Sequence, residues 1–275
     1  MSKNYENVKK DGFKMYLESE NLSANTIRAY LAAAEYFEKR YGEVTRDTLL
    51  AYKGYLTENY TVQTANLRIH AINKYLVFLN KQSLHLKSLK IQQKNFIENV
   101  ISNADYNYLK NCLRRDGEIE WYFVIRYLAA TGARVGELVQ FKAEHIRLGY
   151  IDLYAKGGKM RRLYIPAALC RETDEWLAAS GRTSGYLFLN SSGKRITPRG
   201  IADRLKFFAD KYGIDRDVIY PHSFRHRYAK NFLEKFSDIA LLADLMGHES
   251  IETTRIYLRR TSLEQQEIVN KIVTW

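Results

Sequence analysis

Apolar positions in the first part of the chain recur at helical spacing. Between Ser23 and Gly42, the residues Ile27, Tyr30, Leu31, Ala34, Phe37 and Tyr41 fall on one stripe. A serine stands ready to cap the start of that stripe and a glycine lies beyond its end. Thr45 opens a second segment through Leu49, Tyr52 and Leu56, and a third, from about Val62 to Asn80, carries Ile69, Ile72, Leu76 and Leu79. Phe13, Tyr16 and Leu17 mark an earlier helix. The pattern predicts a bundle of about four helices, whose polar faces carry Arg28, Lys39, Arg40, Arg68, His70 and Lys74.

The periodicity breaks over residues 81–98, KQSLHLKSLKIQQKNFIE, a basic and polar run that reads as an interdomain linker. Beyond it the pattern is mixed. Helices are expected over 104–116 and 118–131, the second ending at Gly132. IDLYA and MRRLYIP then read as two strands joined by a tight turn at KGGK, with Ile151, Leu153 and Ala155 alternating against polar neighbours. Thr197 and Pro198 start another helix that Gly213 ends, and Pro221 starts one holding HSFRHRYAKNFL. Ser262 and Gln265 form a capping box for a terminal helix with Ile268, Val269, Ile272, Val273 and Trp275 on its apolar stripe. The expected fold class is mainly α with a small β-sheet. It comprises a helical domain over 1–85, a linker over 86–98 and a mixed α+β domain over 99–275.

Apolar content of 46% and 27% charged residues are ordinary for a globular protein. Charge changes the picture: 43 Lys and Arg against 31 Asp and Glu give a net charge of +12, which favours a polyanionic partner, nucleic acid or an acidic membrane surface. No apolar run approaches a membrane span, and the opening MSKNYENVKKDGF lacks a signal-peptide core. Cys112 and Cys170 are too few for a disulfide framework or a metal knuckle. A soluble, reduced, cytoplasmic protein that binds nucleic acid is expected, with no membrane partner.

Several polar residues are unremarkable one at a time. Arg134 in TGARVGEL, Lys156 in AKGGK and the pair His222 and Arg225, three apart on one helix, each suit a solvated surface. So do His248 in MGHES and Tyr257, nine positions later and one of 21 tyrosines. In this order, however, they resemble the active site of the tyrosine recombinases, the phage-integrase and Xer-like family. The match is to TG-x-R-x-x-EL, a lysine in a β-turn, H-x-x-R, L-x-G-H and a tyrosine nine residues on. Ser23 to Tyr30, SANTIRAY, looks like the family's opening core-binding helix, so the resemblance spans nearly the whole chain.

The resemblance implies a SAM-like core-binding domain followed by a catalytic domain. It implies double-stranded DNA as substrate, and a homotetramer, or a heterotetramer with a related recombinase, on paired DNA sites. It also implies a 3′-phosphotyrosyl intermediate that needs no metal, ATP or other cofactor. The residue types suit that chemistry. Arg134 and Arg225 supply planar, permanently charged forks for the nonbridging phosphate oxygens, and His248 can donate a further hydrogen bond. Tyr257 is the expected nucleophile and His222 a candidate to accept its proton. Lys156 is the expected proton donor to the leaving hydroxyl, with Lys159 as the alternative in the same turn. Glu137 is expected to orient an arginine, and Arg28, Arg68 and Lys74 are candidate DNA contacts. No carboxylate set is spaced like a two-metal nuclease, and no Walker-type phosphate loop is present in the sequence.

Phe236-Ser237-Asp238 depart from the family pattern, which often has a glycine before a short polar run. The chain opens almost directly with the core-binding block, so an additional arm-binding domain is not expected. Two other functions share parts of this pattern: DNA relaxation by a type IB topoisomerase, and DNA binding by a catalytically inactive regulator.

Overall fold

The computed structural model describes residues 2–90, 99–154, 160–248, 250–258 and 269–273. The chain divides into two compact units, Met1–Gln93 and Lys94–Trp275.

The first unit is a bundle of α1 (Ser2–Ser19), α2 (Ala24–Tyr41), α3 (Arg46–Asn59) and α4 (Val62–Phe78). Its boundaries follow from local chemistry. Ser23 Oγ accepts the Thr26 N–H at 3.1 Å, and Thr45 and Thr48 cap one another's backbone N–H at the start of α3. Phe13, Leu17, Phe37, Leu49, Tyr52, Leu56, Ile69 and Leu76 are fully enclosed, at about 1.5–3 kcal/mol for each aliphatic or Phe side chain removed from water.

Residues 86–90, at the start of the predicted linker, lie along α4 instead of running free. Asn73 donates to Leu86 O and accepts from Leu86 N–H, both at 2.9 Å. Asn66 does the same to Leu89, at 3.0 and 2.7 Å. Two asparagines, two helical turns apart, thus satisfy an extended backbone as a neighbouring strand would, and Leu86 is buried beside them. Residues 91–98 lie outside the described part.

Two of the cations expected on the exposed face are half-buried. Arg68 stacks over Tyr60 at 4.4 Å and Tyr36 at 5.6 Å, because its planar guanidinium is attracted to aromatic faces. Lys74 pairs with Glu20 at 2.6 Å beside the Tyr16 ring. Arg28 is exposed.

The second unit contains α5 (Asn103–Arg115), α6 (Ile119–Thr131), α7 (Val135–Leu138), α8 (Ala143–Leu148), β1 (Tyr150–Tyr154), β2 (Met160–Tyr164) and α9 (Ala167–Ala179). It continues with α10 (Pro198–Tyr212), α11 (Pro221–Lys235), α12 (Ile239–Met246), α13 (Ile251–Arg255) and a 3-10 turn, Ile256–Leu258. Helix α6 is apolar on nearly every side, with Phe123, Val124, Ile125, Tyr127 and Leu128 buried, and it packs between α5 and α11. The two strands pair antiparallel with Tyr150 opposite Tyr164 and Leu153 opposite Arg161. Ile151, Leu153 and Leu163 face inward; Ala155 and the turn, residues 155–159, lie outside the described part.

Asp238 in the divergent FSD segment caps α12, accepting the Leu241 N–H at 2.9 Å. The predicted Ser262–Gln265 capping box, Ile268 and Trp275 lie outside the described residues. Residues 269–272 are helical, and Val269, Ile272 and Val273 are exposed. Among the described residues, no helix is long and apolar enough to cross a membrane.

Candidate active site

The ends of α6 and α12, the start of α7, strand β2 and helix α11 meet in the second unit. Helix α6 closes at Gly132, whose φ of 61° is left-handed. A Cβ there would lie 2.5 Å from the Tyr228 ring, so the turn requires glycine twice over. Arg134 follows at once. Its N–H donates to Glu137 Oε2 at 2.7 Å, its Nη1 to Glu137 Oε1 at 2.9 Å and its Nη2 to Gly247 O at 3.2 Å. Glu137 therefore orients Arg134 while capping α7.

Helix α11 begins with proline at its first turn and presents His222, Arg225, His226 and Ala229 at helical spacing. Arg225 is 3% exposed. It donates from Nη1 to Gly132 O, and from Nη2 to Met246 O at 2.7 Å and His248 Nε2 at 3.0 Å. Both carbonyls stand at helix C-termini, where unpaired C=O groups and the helix dipole favour a cation. Burial, then repulsion from Arg134 and Arg161, draws the Arg225 pKa down to about 10, so it remains charged at neutral pH.

Helix α12 ends at Gly247, again left-handed, with a φ of 59°. The turn brings His248 to Arg225. A guanidinium only donates, so His248 Nε2 accepts and Nδ1 carries the hydrogen, which goes to Thr254 Oγ1 at 2.6 Å. Burial first, then Arg225, Arg134 and Arg161, push its pKa down to about 4. The hydrogen bond expected from His248 to a phosphate thus requires a second proton on this ring, which an incoming anion favours by raising the imidazole pKa.

Tyr257 is packed among Ala229, Leu242 and Met246 and is 7% exposed. Burial pushes its pKa up to about 12, against the opposing pull of Arg225 and Arg134. Its hydroxyl lies 2.9 Å from His226 Nδ1. That position was expected for His222, which instead stands exposed one helical turn earlier, its ring 6.3 Å from that of His226. The 3-10 turn packs further along α11, beside Ala229, which puts the hydroxyl within reach of the later histidine. Partial burial, then Arg225 and Arg134, draws the His222 pKa below its ordinary value.

Three residues of the site were not singled out in the sequence. His226 follows Arg225 and stands four after His222, so helical spacing already placed it on the same face. Thr254 is a fully buried hydroxyl that gives no such signal. Arg161 occupies an inward-facing strand position between outward-facing Met160 and Arg162, and a charge at a core register is a readable anomaly. Its Nη1 donates to Glu137 Oε1 at 3.0 Å, while Nε and Nη2 have no partner among the described residues. Burial draws its pKa below the usual arginine value. Arg134, Glu137, Arg161, Gly247 and His248 border a cleft of about 1160 Å³. Lys156 and Lys159 lie outside the described residues.

Residues 97–264 match the model of the phage integrase family. The chain belongs to that family. The tyrosine recombinase XerA of Pyrococcus furiosus is 31% identical over 268 residues, covering 94% of this chain and 92% of that protein, and the chain is an enzyme of this type. Among solved structures, the XerH site-specific recombinase bound to difH substrate aligns with a TM-score of 0.69 at 18% identity, over 93% of this chain and 81% of that one. The Tn1549 transposon integrase in complex with transposon right end DNA aligns with a TM-score of 0.73 at 13% identity, over 97% of this chain and 99% of that one. At those identities the likeness to the solved structures is one of fold.

Proposed function

We propose that this phage integrase family member cleaves and rejoins double-stranded DNA at specific sites, with Tyr257 as the nucleophile. One observation carries the proposal. Arg134 and Arg161 share the one carboxylate that pairs with them among the described residues, Glu137; both act on Arg225, and Arg225 and Arg134 act on the Tyr257 hydroxyl. Three guanidiniums against one carboxylate leave a local excess of positive charge, suited to a phosphodiester whose negative charge grows during attack.

Arg134 and Arg225 hold the nonbridging oxygens. His222, at the start of α11, and His248 add hydrogen bonds as the anion arrives, and Lys156 protonates the leaving 5′-oxygen. The energy of the broken bond is kept in the phosphotyrosyl link, so rejoining uses no nucleotide. Relatives named recombinases that align along almost the whole chain favour strand exchange over simple relaxation. We further propose that four protomers act on two sites. The exposed Val269, Ile272 and Val273 offer an apolar face for a neighbour.

Single-turnover cleavage at saturating protein tests the assignment. Arg134→Ala and Arg225→Ala should each slow cleavage by about 10² or more while binding weakens far less. Lys156→Ala should also be slow and recover on a substrate with sulfur at the bridging 5′ position, since a thiolate leaves without a proton. A loss confined to affinity, or sulfur rescue of Lys159→Ala alone, contradicts these roles.

A further inference from the structure

Among the described residues, His226 meets the Tyr257 hydroxyl at hydrogen-bond distance, 2.9 Å from Nδ1. The two rings lie 5.6 Å apart where α11 meets the 3-10 turn, with Tyr257 buried and His226 half-buried. The geometry points to His226 as the catalytic base of the cleavage step: it takes the phenolic proton as Tyr257 attacks phosphorus, and returns it when the strand is rejoined. The inference rests on Tyr257 being the nucleophile.

The step balances. The Tyr257 Oη–P bond forms as the P–O5′ bond breaks, the phenolic proton passes to His226 Nδ1, and the leaving oxygen takes a proton from the turn lysine. In rejoining, the 5′-hydroxyl attacks, the Oη–P bond breaks and His226 hands its proton to the departing phenolate.

A base is needed here. With the phenol pushed up to about 12, only about one molecule in 10⁵ would be ionised at pH 7. His226 is ready to serve, because burial, then His222 and Arg225, push its pKa down to about 4 and keep the imidazole neutral. As acceptor it carries its hydrogen on Nε2. The charged or titratable groups around it are His222 and Arg225 on its own helix and Tyr257 on the facing turn. Arg134 and Tyr220 act on the tyrosine from outside that helix. Arg225 opposes protonation of His226 in the free protein, as does His222. A phosphodiester beside them reverses that opposition and raises the basicity of His226 when the proton must move.

The test uses the full chain and a nicked duplex bearing the site recovered by sequencing DNA trapped on the wild-type protein. Tyr257→Phe comes first: an adduct at wild-type level would refute the nucleophile itself, separately from the base. Given no adduct there, His226→Asn and His226→Gln, which keep a polar side chain but cannot accept a proton, are compared with wild type. Both should cleave about 10² or more slower at pH 7. The change in profile is the decisive reading. Wild-type cleavage should be flat from about pH 6 to 9, whereas the variants should gain about tenfold per pH unit, because tyrosinate must then form beforehand. Rejoining should slow by the same factor, leaving the equilibrium level of adduct unchanged. A rate within about threefold of wild type, a uniform loss with an unchanged pH profile, or faster cleavage would overturn the inference. The last of these would make the contact a latch that restrains the tyrosine.

Discussion

Glu137 serves two guanidiniums with one oxygen, at 2.9 Å to Arg134 and 3.0 Å to Arg161, while its other oxygen fixes the Arg134 backbone. Its removal should therefore be felt as repulsion among cations. Glu137→Gln should cost about 3 kcal/mol of stability without DNA. The difference in melting temperature from wild type should narrow with DNA bound, because phosphate supplies the missing negative charge; an equal loss in both states would contradict this. The histidines give a second test. Burial, then neighbouring cations, pushes the His226 and His248 pKa values down to about 4 in the folded protein against about 6.5 when unfolded, so the unfolded chain binds more protons between those values. Their contribution to stability is present above about pH 6.5 and is lost as pH falls towards 4. Melting temperature should drop across that window, and His226→Asn combined with His248→Asn should flatten the slope. The motif residues were legible because each stands at a fixed offset in a recognisable string. Thr254 and the tautomer of His248 were not, since they depend on which buried atoms meet across elements.

Helix ends position the site. Arg225 is held by carbonyls at the ends of α6 and α12, and both ends are made by glycines with positive φ. A Cβ on Gly247 would also lie 2.3 Å from Arg161 Cδ. Gly247→Ala should thus move His248 and Arg161 together, slowing cleavage by at least about tenfold and destabilising the fold by about 1–2 kcal/mol, through a left-handed backbone and a lost close approach. Single-turnover cleavage and thermal melting check this, and full activity would show that the α12 turn does not set the geometry. Long helices such as α2, α4 and α11 were visible in their apolar stripes and caps. Helices α7, α8 and α13, of 4, 6 and 5 residues, are too short for periodicity to register. Residues 86–90 read as linker because their attachment is made by Asn66 and Asn73, polar side chains that a hydrophobic pattern does not weigh.

For the whole molecule, a net charge of +12 implies binding that weakens steeply with salt. Exposed Arg28 is the cleanest test of the first unit's share. If it meets a phosphate, Arg28→Gln should reduce the log–log salt slope by about 0.9, whereas Arg68, stacked on Tyr60, and Lys74, paired with Glu20, are partly committed within the protein. An unchanged slope would remove Arg28 from the interface. Deleting residues 263–275 should leave binding to a half-site intact while abolishing cooperative assembly on paired sites; normal recombination by the truncated protein would make the tail dispensable. The most direct measurement is recovery of the covalent protein–DNA complex under denaturing conditions, followed by digestion and mass spectrometry of the peptide that retains a nucleotide. A phosphonucleotide is expected on Tyr257 of the wild-type chain, with no adduct from Tyr257→Phe; a nucleotide on any other residue would contradict Tyr257 as the nucleophile.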